Sequence, residues 1–429
     1  MNRIAVNEKN HLVFAGADVT ELAQKFGTPL YVMDEGQIRE NMRLYRRSIE
    51  KFYGGKGLVC YAGKAFSCKE IYRIAQEEGI GADAVSAGEL YTAIQAGFDP
   101  ANICYHGNNK TDRELAYLLE SGVGRIVADA YDELDRLDEL AGKMGKKPRV
   151  LLRLCPGVEA HTHEFIRTGG IDSKFGFAIE LGDAMKAVRL ALSKPNLQLC
   201  GIHCHIGSQI FDSDPFEHTA EIMLHFLDEV RKETGVLLPE LNLGGGFGIR
   251  YTGEDTPKPY DGYMEQVSRK VGQVCAELDM EQPFILLEPG RSIVGEAGIT
   301  LYEIGSIKEI PGIRTYVAID GGMTDNIRPV LYGAKYDFLL ANKMDLPPVR
   351  KVTVAGRCCE SGDVLGKDIL LPECGRGDLL AVLSTGAYHY SMASNYNRVP
   401  RPAVVMVRDG QARLAVRRES LEDLARNDI

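Results

Sequence analysis

The amino-acid sequence predicts an α/β protein in which a (β/α)8 barrel of the TIM type is combined with a C-terminal all-β domain. Strand-like apolar runs alternate with helical patterns from residue 58 to about residue 290, whereas later strand-like runs have few helical patterns between them. The chain of 429 residues is also longer than one ordinary domain. Its apolar fraction of 45% and charged fraction of 26% are typical of globular proteins.

The first part of the chain contains eight strand-like runs, at residues 58–62, 81–85, 103–105, 125–128, 150–154, 199–203, 240–243 and 284–287. Helical patterns separate them, at residues 68–78, 87–96, 112–120, 131–143, 183–192, 214–233 and 260–278. This alternation predicts a parallel sheet with crossover helices, and eight strands over about 250 residues are the count and span of a closed barrel. A doubly wound open sheet is the competing fold, but the Gly-x-Gly-x-x-Gly turn that often follows its first strand is absent here.

The remaining strand-like runs predict the all-β domain, and they lie at residues 299–304, 315–319, 351–354, 379–383, 404–407 and 413–416. Asp409-Gly410 between the last two predicts a hairpin. Two N-terminal runs, at 12–14 and 30–33, flank a short helix capped by Asp18, and a closed barrel offers them no edge. We therefore expect a barrel over residues 35–290 and a β domain made of residues 1–34 and 291–429.

Composition excludes several classes of protein. The net charge of -10 argues against a nucleic-acid binder, which would present a basic face. No apolar run approaches the roughly 18 residues of a membrane span, and the N-terminus lacks the apolar core of a signal peptide. The ten cysteines include no Cys-x-x-Cys spacing, and Cys358-Cys359 is their only close pair. We therefore expect free thiols and a cytoplasmic location.

Reactive side chains follow nearly every predicted barrel strand, at the C-terminal ends where such barrels carry their chemistry. They are Lys64, Asp83, Ser86, His106, Arg153, His203, His205, Ser208 and Glu288, and the glycines Gly244, Gly245 and Gly246 follow the seventh strand. Lys64 follows a buried strand and a glycine. Its amine can therefore lose solvation and act as a nucleophile or Schiff-base former.

The other strand ends suggest what this lysine would hold. The three glycines 244–246 can turn their N–H groups toward a phosphate, and the Ser208 hydroxyl can add to the same site. His203 and His205 have a spacing that allows zinc, but no third ligand stands close in the sequence, and an aromatic lid on a planar ligand is favoured. Glu288 on the last strand should lie near Lys64 across the barrel seam. A lysine, an anion site and a carboxylate together predict a pyridoxal-phosphate site.

Several motifs resemble the fold-type III pyridoxal-phosphate decarboxylases, which share the alanine racemase-like fold. They are Tyr-Ala-Gly-Lys64-Ala, His-Ile-Gly-Ser208-Gln, Gly-Gly-Gly246, Glu288-Pro-Gly-Arg291, Cys359-Glu360-Ser-Gly-Asp363 and Gly-Ala-Tyr388. Further similar stretches lie around His161 and His163, Lys174, and Asn395-Tyr396-Asn397. The resemblance runs from about Thr28 to Val407. Arg357 departs from it, because an apolar or small residue is more usual before the cysteines.

The resemblance implies a role for each matching residue. Lys64 would hold pyridoxal 5'-phosphate covalently, His205 would stack on its ring and Glu288 would pair with the pyridinium nitrogen. The phosphate would be bound by Ser208, Gly244, Gly245, Gly246, Gly290, Arg291 and Tyr388. Cys359 would return a proton to Cα, and Glu360 would bind the distal ammonium of the substrate. Its distal carboxylate would be bound by Arg291, Arg328 and Tyr332, and Tyr388 would also contact the substrate. In this family Cys359 and Glu360 complete the site of the other subunit, which implies a homodimer.

The resemblance, taken with Arg328, implies decarboxylation of meso-2,6-diaminopimelate to L-lysine and CO2. Arg328 suits a substrate that ends in an amino acid, because a guanidinium binds a carboxylate in a bidentate pair. A decarboxylase for ornithine, arginine or carboxynorspermidine is the alternative within the class. A racemase on the same barrel would pair the ring nitrogen with an arginine rather than Glu288, and a non-catalytic relative should have lost Lys64 or Cys359.

Overall fold

The computed structural model of the chain describes residues 4–158 and 172–429. The stretch around His161 and His163 therefore lies outside the described residues. The chain divides into two compact units. One unit, here called the barrel unit, comprises Asn41–Gly248 and Pro257–Gly290, and the other, the β unit, comprises Met1–Glu40, Ile249–Thr256 and Arg291–Ile429.

The N-terminal region forms a small sheet, a strand and two helices. Its elements are β1 (Ile4–Val6), β2 (Leu12–Phe14), β3 (Ala17–Asp18), α1 (Val19–Phe26), β4 (Leu30–Asp34) and α2 (Glu35–Phe52). Strands β1, β2 and β3 pair in that order. The Asp18 carboxylate accepts the N–H of Thr20 at 2.9 Å and caps α1, as the sequence predicted.

The barrel unit contains eight principal strands and seven helices that alternate along the described chain. They are β5 (Gly57–Ala62), α3 (Lys69–Glu77), β6 (Gly81–Ala84), α4 (Ala87–Gln95), β7 (Ile103–Tyr105), α5 (Asp112–Ser121), β8 (Arg125–Ala128), α6 (Tyr131–Met144), β9 (Arg149–Cys155), β10 (Phe177–Ala178), α7 (Asp183–Ser193), β11 (Gln198–His203), α8 (Asp214–Thr234), β12 (Glu240–Asn242), α9 (Tyr260–Glu277) and β13 (Phe284–Leu287). The two-residue strand β10 extends the edge of β9.

Strand pairing closes this sheet into a ring, which confirms the predicted barrel. The ring runs β5-β6-β7-β8-β9-β11-β12-β13 and returns to β5, and every one of these pairs is parallel. Strands β6, β7 and β8 are buried along their whole length. Helices cover the outside of a parallel barrel, so its strands appear in the sequence as short continuous apolar runs without alternation.

The β unit is mostly sheet, as the sequence predicted. Its remaining elements are α10 (Arg291–Val294), β14 (Gly298–Ile310), β15 (Arg314–Ile319), α11 (Arg328–Tyr332), β16 (Phe338–Leu340), β17 (Arg350–Ala355), β18 (Val364–Leu371), β19 (Leu379–Val382), β20 (Ala403–Arg408), β21 (Gln411–Val416) and α12 (Leu421–Ala425). The strand order is β18-β17-β15-β14-β4-β20-β21, with β19 paired to β14 and β16 to β19.

The N-terminal strand β4 is a central strand in the sheet of the β unit. It pairs antiparallel with β14 and parallel with β20, and all five of its residues are buried. The hairpin between β20 and β21 is confirmed, because Asp409 and Gly410 have φ values of 51° and 76°. None of the helices in the described part of the chain has the length and apolar character needed to span a membrane.

Candidate active site

Lys64 lies in a short turn directly after the buried end of β5. Cys60, Tyr61 and Ala62 are fully or almost fully buried, and the Lys64 side chain is exposed. The turn is tight at Gly63, where an added Cβ would lie 2.4 Å from the Tyr72 hydroxyl. The strand thus fixes the backbone of Lys64 while its amine remains accessible at the C-terminal end of the barrel.

The seam between the last and first barrel strands brings a second loop against this turn. Strand β13 pairs with β5 so that Leu287 lies opposite Val59, and the N–H of Ala62 donates to the carbonyl of Pro289 at 3.1 Å. A Cβ on Gly290 would lie 2.9 Å from the Cβ of Ala62. The residue that precedes Pro289 is Glu288, so its loop packs directly on the loop of Lys64.

Glu288 is buried and accepts three side-chain hydrogen bonds within the barrel. Nε2 of His106 lies 2.8 Å from Oε1, Nδ2 of Asn242 lies 2.7 Å from the same oxygen, and Nε2 of His203 lies 3.1 Å from Oε2. Burial raises the pKa of Glu288, but the two histidines outweigh burial and hold this pKa well below its usual value. Glu288 is therefore a buried carboxylate anion.

Asp83, near the end of β6, has a raised pKa, whereas Glu288 has a lowered one. It is 3% exposed, and its Oδ1 atom has no hydrogen-bond partner among the described residues. Burial, opposed by His106 and reinforced by the negative charge of Glu288, raises the pKa of Asp83. The environments of the two carboxyl groups thus separate their pKa values, with Glu288 ionised and Asp83 favouring the neutral form.

Burial raises the pKa of Glu89, in helix α4, to about 7. Ser86, which the sequence analysis placed at the end of strand β6, has a structural role. Its hydroxyl accepts the N–H of Glu89 at 3.2 Å and caps α4.

His205 lies just beyond β11 and faces the glycine turn. The N–H of Gly245 donates to its Nδ1 atom at 3.3 Å, so a neutral ring carries its proton on Nε2. Burial and the positive charge of Lys64 hold the pKa of His205 well below its usual value. The ring is therefore uncharged at neutral pH, which suits contact with a planar, electron-poor ligand. His203 turns to Glu288 instead, so the two histidines have different partners and do not form a shared zinc site.

The Gly244–Gly246 turn admits no side chain. A Cβ on Gly245 would lie 2.2 Å from the Glu288 carbonyl oxygen, and one on Gly246 would lie 2.4 Å from the Gly207 carbonyl. Gly244 and Gly246 also have φ values of 67° and 122°. The Gly244 N–H is bound by the Asn242 side-chain oxygen at 2.9 Å and the Gly245 N–H by His205. Ser208, which the sequence assigned to the same phosphate as this turn, is partly buried.

In the β unit, two buried arginines stand among tyrosines. The guanidinium of Arg291 donates to the Tyr251 hydroxyl and lies 4.7 Å from the centre of the Tyr388 ring. Nε of Arg328 donates to the Tyr336 hydroxyl at 2.8 Å, and its guanidinium lies 5.3 to 5.6 Å from the rings of Tyr251, Tyr332 and Tyr388. No carboxylate of the described residues pairs with Arg328. Arg291, Arg328, Tyr332 and Tyr388, which the resemblance assigned to substrate binding, thus lie near one another.

Arg328 is held by the loop that precedes it. Asp325 anchors this loop, because its carboxyl accepts the N–H of Gly322 at 3.0 Å and the hydroxyls of Thr324 and Tyr302. Burial raises the pKa of Asp325 to about 7. The next residue, Asn326, is fully buried, and neither side-chain polar atom has a partner among the described residues.

Cys359 and Glu360 lie on an exposed loop after β17. Asp363, which is 2% exposed, closes this loop by accepting the N–H groups of Cys358 at 2.8 Å and Met323 at 2.6 Å. The side-chain oxygen of Asn397 accepts the Cys359 N–H at 2.8 Å. The loop is therefore exposed in its side chains but fixed in its backbone.

Sequence reasoning missed the residues that orient the expected functional groups. They are Asn242 beside Glu288, Tyr251 and Tyr336 beside the arginines, and Asn397 beside Cys359. Asn242 is the last residue of β12, but the predicted strand ran to residue 243 and so placed Asn242 inside it. The two tyrosines lie outside any quoted motif. A signal existed only for Asn397, which belongs to a stretch that resembled the family.

Comparisons with known proteins agree with this geometry. Residues 35–295 match the family model described as the pyridoxal binding domain of pyridoxal-dependent decarboxylases. Two relatives, the diaminopimelate decarboxylases of Bacillus methanolicus and Bacillus subtilis strain 168, are each 50% identical, over 97% and 99% of this chain respectively and 96% of their own. The crystal structure of diaminopimelate decarboxylase from M. jannaschii with L-lysine is 36% identical with a TM-score of 0.91, covering 100% of this chain and 98% of that one. The chain therefore belongs to the pyridoxal-dependent decarboxylases, and within them to the diaminopimelate decarboxylase family.

The residues of the barrel unit fit the cofactor that this family implies. The turn with no room for a side chain suits close approach of a phosphate, the accessible Lys64 amine suits an aldehyde, and the Glu288 anion suits a protonated pyridine nitrogen. These comparisons confirm the fold, the family and the pyridoxal-phosphate cofactor that the sequence predicted. The role of each site residue stays a prediction.

Gly245→Ala should weaken cofactor binding, because the new Cβ would overlap the Glu288 carbonyl oxygen and displace the turn. Gly262→Ala is the control, since nothing lies within 4 Å of its added Cβ in helix α9. We expect the dissociation constant of pyridoxal phosphate, measured by equilibrium dialysis, to rise at least about tenfold in the first variant only. Equal affinities in both variants would contradict the assignment of this turn.

The Asp325 carboxyl predicts a pH dependence of stability. Its folded pKa of about 7 lies above the unfolded value of about 3.9, so its contribution is fully present below the lower pKa and is lost as the pH rises through about 7. The free energy of unfolding of the wild type should therefore fall over this range relative to Asp325→Asn. Asp368→Asn changes an exposed aspartate in the same unit and should keep the wild-type slope. Urea unfolding at a series of pH values measures this, and parallel profiles for wild type and Asp325→Asn would exclude the effect.

Proposed function

We propose that this chain decarboxylates meso-2,6-diaminopimelate at Cα to give L-lysine and CO2, with pyridoxal 5'-phosphate as the cofactor. The observation that carries the choice of substrate is the pair of buried arginines in the β unit. Arg328 is 7% exposed and its described partners are hydroxyl and aromatic groups, without a carboxylate. A buried guanidinium in that state suits an anionic ligand, and a substrate with a distal amino-acid group supplies one.

The chemistry supplied by the bound cofactor is a protonated ring that takes up the electron pair left at Cα when CO2 departs. Lys64 provides the amine to which the cofactor attaches. Glu288 stays ionised through its histidine partners and keeps a proton on the ring nitrogen. His205 is held uncharged beside the glycine turn and adds no positive charge to the ring face. The barrel unit thus provides attachment, charge and orientation.

Cys359 and Glu360 act on the substrate itself. Cys359 donates the proton that Cα receives after CO2 has left, and Glu360 accepts hydrogen bonds from the distal ammonium. Both side chains are exposed, while Asp363 and Asn397 fix the backbone that carries them. An exposed but rigid loop can serve a second copy of the chain, which supports a homodimer in which each subunit completes the other's site.

The setting of the reaction follows from the thiols. All ten cysteines are free in the described structure. A reducing compartment preserves free thiols, including the one on Cys359, so we propose that the enzyme acts in the cytoplasm.

The direct experiment supplies purified enzyme and pyridoxal phosphate with meso-diaminopimelate, and measures CO2 release and the chirality of the product. L-lysine and CO2 in equal amounts support the proposal. Ornithine, arginine and carboxynorspermidine should release little or no CO2 in parallel assays. Faster release from one of these acids would reassign the substrate within the same class.

Arg328→Ala should raise KM for meso-diaminopimelate strongly. Loss of a charge-assisted contact to a carboxylate corresponds to about a tenfold to hundredfold change, and kcat should change less because the contact exists before and during the reaction. Arg376→Ala removes an exposed arginine of the same unit and should leave both constants unchanged. Steady-state kinetics decides, and an unchanged KM in Arg328→Ala would exclude this residue from the substrate site.

Cys359→Ala should lower kcat by about 10²–10⁴-fold, because the acid that protonates Cα is lost. The adjacent Cys358→Ala is the matched control. Burial raises the pKa of Cys358 to about 11, and its side chain has no assigned role. We expect Cys358→Ala to retain activity within about threefold. Equal losses in the two variants would show that the loop and not the Cys359 thiol is required.

A further inference from the structure

The three donors around Glu288 leave its carboxylate with an uneven set of hydrogen bonds. Oε1 accepts from both His106 and Asn242, whereas Oε2 accepts from His203 alone. A carboxylate has about four acceptor positions, two on each oxygen. One position on Oε2 is thus left over by the described residues.

The orientation of all three donors can be deduced from their partners. The Asn242 side-chain oxygen binds the Gly244 N–H at 2.9 Å, so its amide nitrogen is the group that faces Glu288. An ionised carboxylate can only accept, so each histidine presents a protonated Nε2. Burial lowers the pKa of His203 to about 4, and its buried Nδ1 has no partner among the described residues. His203 is therefore a neutral ring with its single proton directed at Oε2.

We propose that His106 and His203 are positioning residues for the cofactor ring. By donating to Glu288 they keep it an anion, and they direct its remaining Oε2 acceptor position to the protonated ring nitrogen. The inference rests on the proposed function for the identity of the cofactor, and it adds the two histidines that make Glu288 a suitable partner. The two rings pack edge to face with centroids 4.8 Å apart, so each also fixes the other.

A metal site is the competing interpretation of the same residues. Donor atoms of His106, His203 and Glu288 all lie within 4.8 Å of one another. However, the histidine nitrogens are each at hydrogen-bond distance from a different carboxylate oxygen, and the amide N–H of Asn242 occupies Oε1 as well. A cation would need unprotonated nitrogens and would be repelled by the amide hydrogen. Hydrogen bonding therefore explains the cluster better.

The electrostatic surroundings of Glu288 include further groups. Asp83, Cys104, Cys204 and His205 also interact with its charge, and Arg153 acts on both His203 and Asp83. Asp83 and the two thiols oppose the Glu288 anion when they ionise. Burial raises the pKa of Asp83 and Cys204, and a hydrogen bond with Cys60, together with burial, raises the pKa of Cys104. The two histidines and Asn242 remain the groups that stabilise it by direct contact.

The test compares leucine and glutamine at each position, as His106→Leu with His106→Gln and His203→Leu with His203→Gln. Glutamine keeps an N–H donor at about the reach of Nε2, whereas leucine removes it. The dissociation constant of pyridoxal phosphate is measured by equilibrium dialysis of the apo-enzyme over a range of pH, without substrate. This readout is independent of which amino acid the enzyme decarboxylates, so the substrate assignment can fail without affecting the result.

We expect the leucine variants to bind pyridoxal phosphate about tenfold to a hundredfold more weakly than wild type at neutral pH. The deficit should shrink as the pH rises, because Glu288 without its donors needs a higher pH to ionise. The glutamine variants should stay within about threefold of wild type. A deficit of equal size at every pH, or glutamine variants as weak as the leucine variants, would overturn the proposal and indicate a packing role.

Two further measurements keep the proposal testable if the leucine variants do not fold. In ¹⁵N-histidine NMR of the wild type, assigned with the glutamine variants, His203 should have a protonated Nε2 and an unprotonated Nδ1. The opposite tautomer would contradict the proposal. Stoichiometric Zn²⁺ binding by the apo-enzyme that is lost in both glutamine variants would assign the cluster to a metal and overturn it as well.

Discussion

The closure of the barrel between its last and first strands is the constraint on which the barrel site depends. Pairing of β13 with β5 brings the Glu288-Pro289-Gly290 loop onto the turn that carries Lys64, and Gly290 permits this because even a methyl group there would press on Ala62. Lys64 and Glu288 are more than two hundred positions apart in the chain. Only a closed parallel ring makes their strands neighbours, so the fold itself creates the combination of amine and carboxylate.

Within that frame, hydrogen-bond donors decide which carboxyl group keeps its charge. Glu288 and Asp83 are both almost completely buried, and burial alone would neutralise both. Glu288 receives three N–H donors, while one oxygen of Asp83 has no partner among the described residues. In the β unit the buried charges are positive, because the guanidinium groups of Arg291 and Arg328 are surrounded by tyrosines. One unit thus presents a fixed anion and the other fixed cations.

The sequence predicted the barrel well because most of its strands are short apolar runs with polar residues at or just beyond their ends. The predicted ends of the strands at 103–105, 125–128 and 284–287 agree with the structure to the residue. Strand β18 was missed, since Gly366, Lys367 and the left-handed Asp368 interrupt its apolar pattern. The candidate site was predictable at Lys64 and Glu288, because strand order alone makes them neighbours. Asn242 and Tyr336 could not be found in this way, since their importance lies in side-chain hydrogen bonds, to Glu288 and Arg328, that no residue pattern signals.

The attachment of the cofactor to Lys64 is the central claim, and reductive trapping tests it most directly. The holoenzyme is treated with borohydride, digested and analysed by peptide mass spectrometry, with Lys64→Ala treated in parallel. We expect the visible absorbance of the wild type to be bleached and the reduced cofactor to be found on Lys64 alone. Modification of another lysine, or an unmodified Lys64 in active enzyme, would contradict the claim.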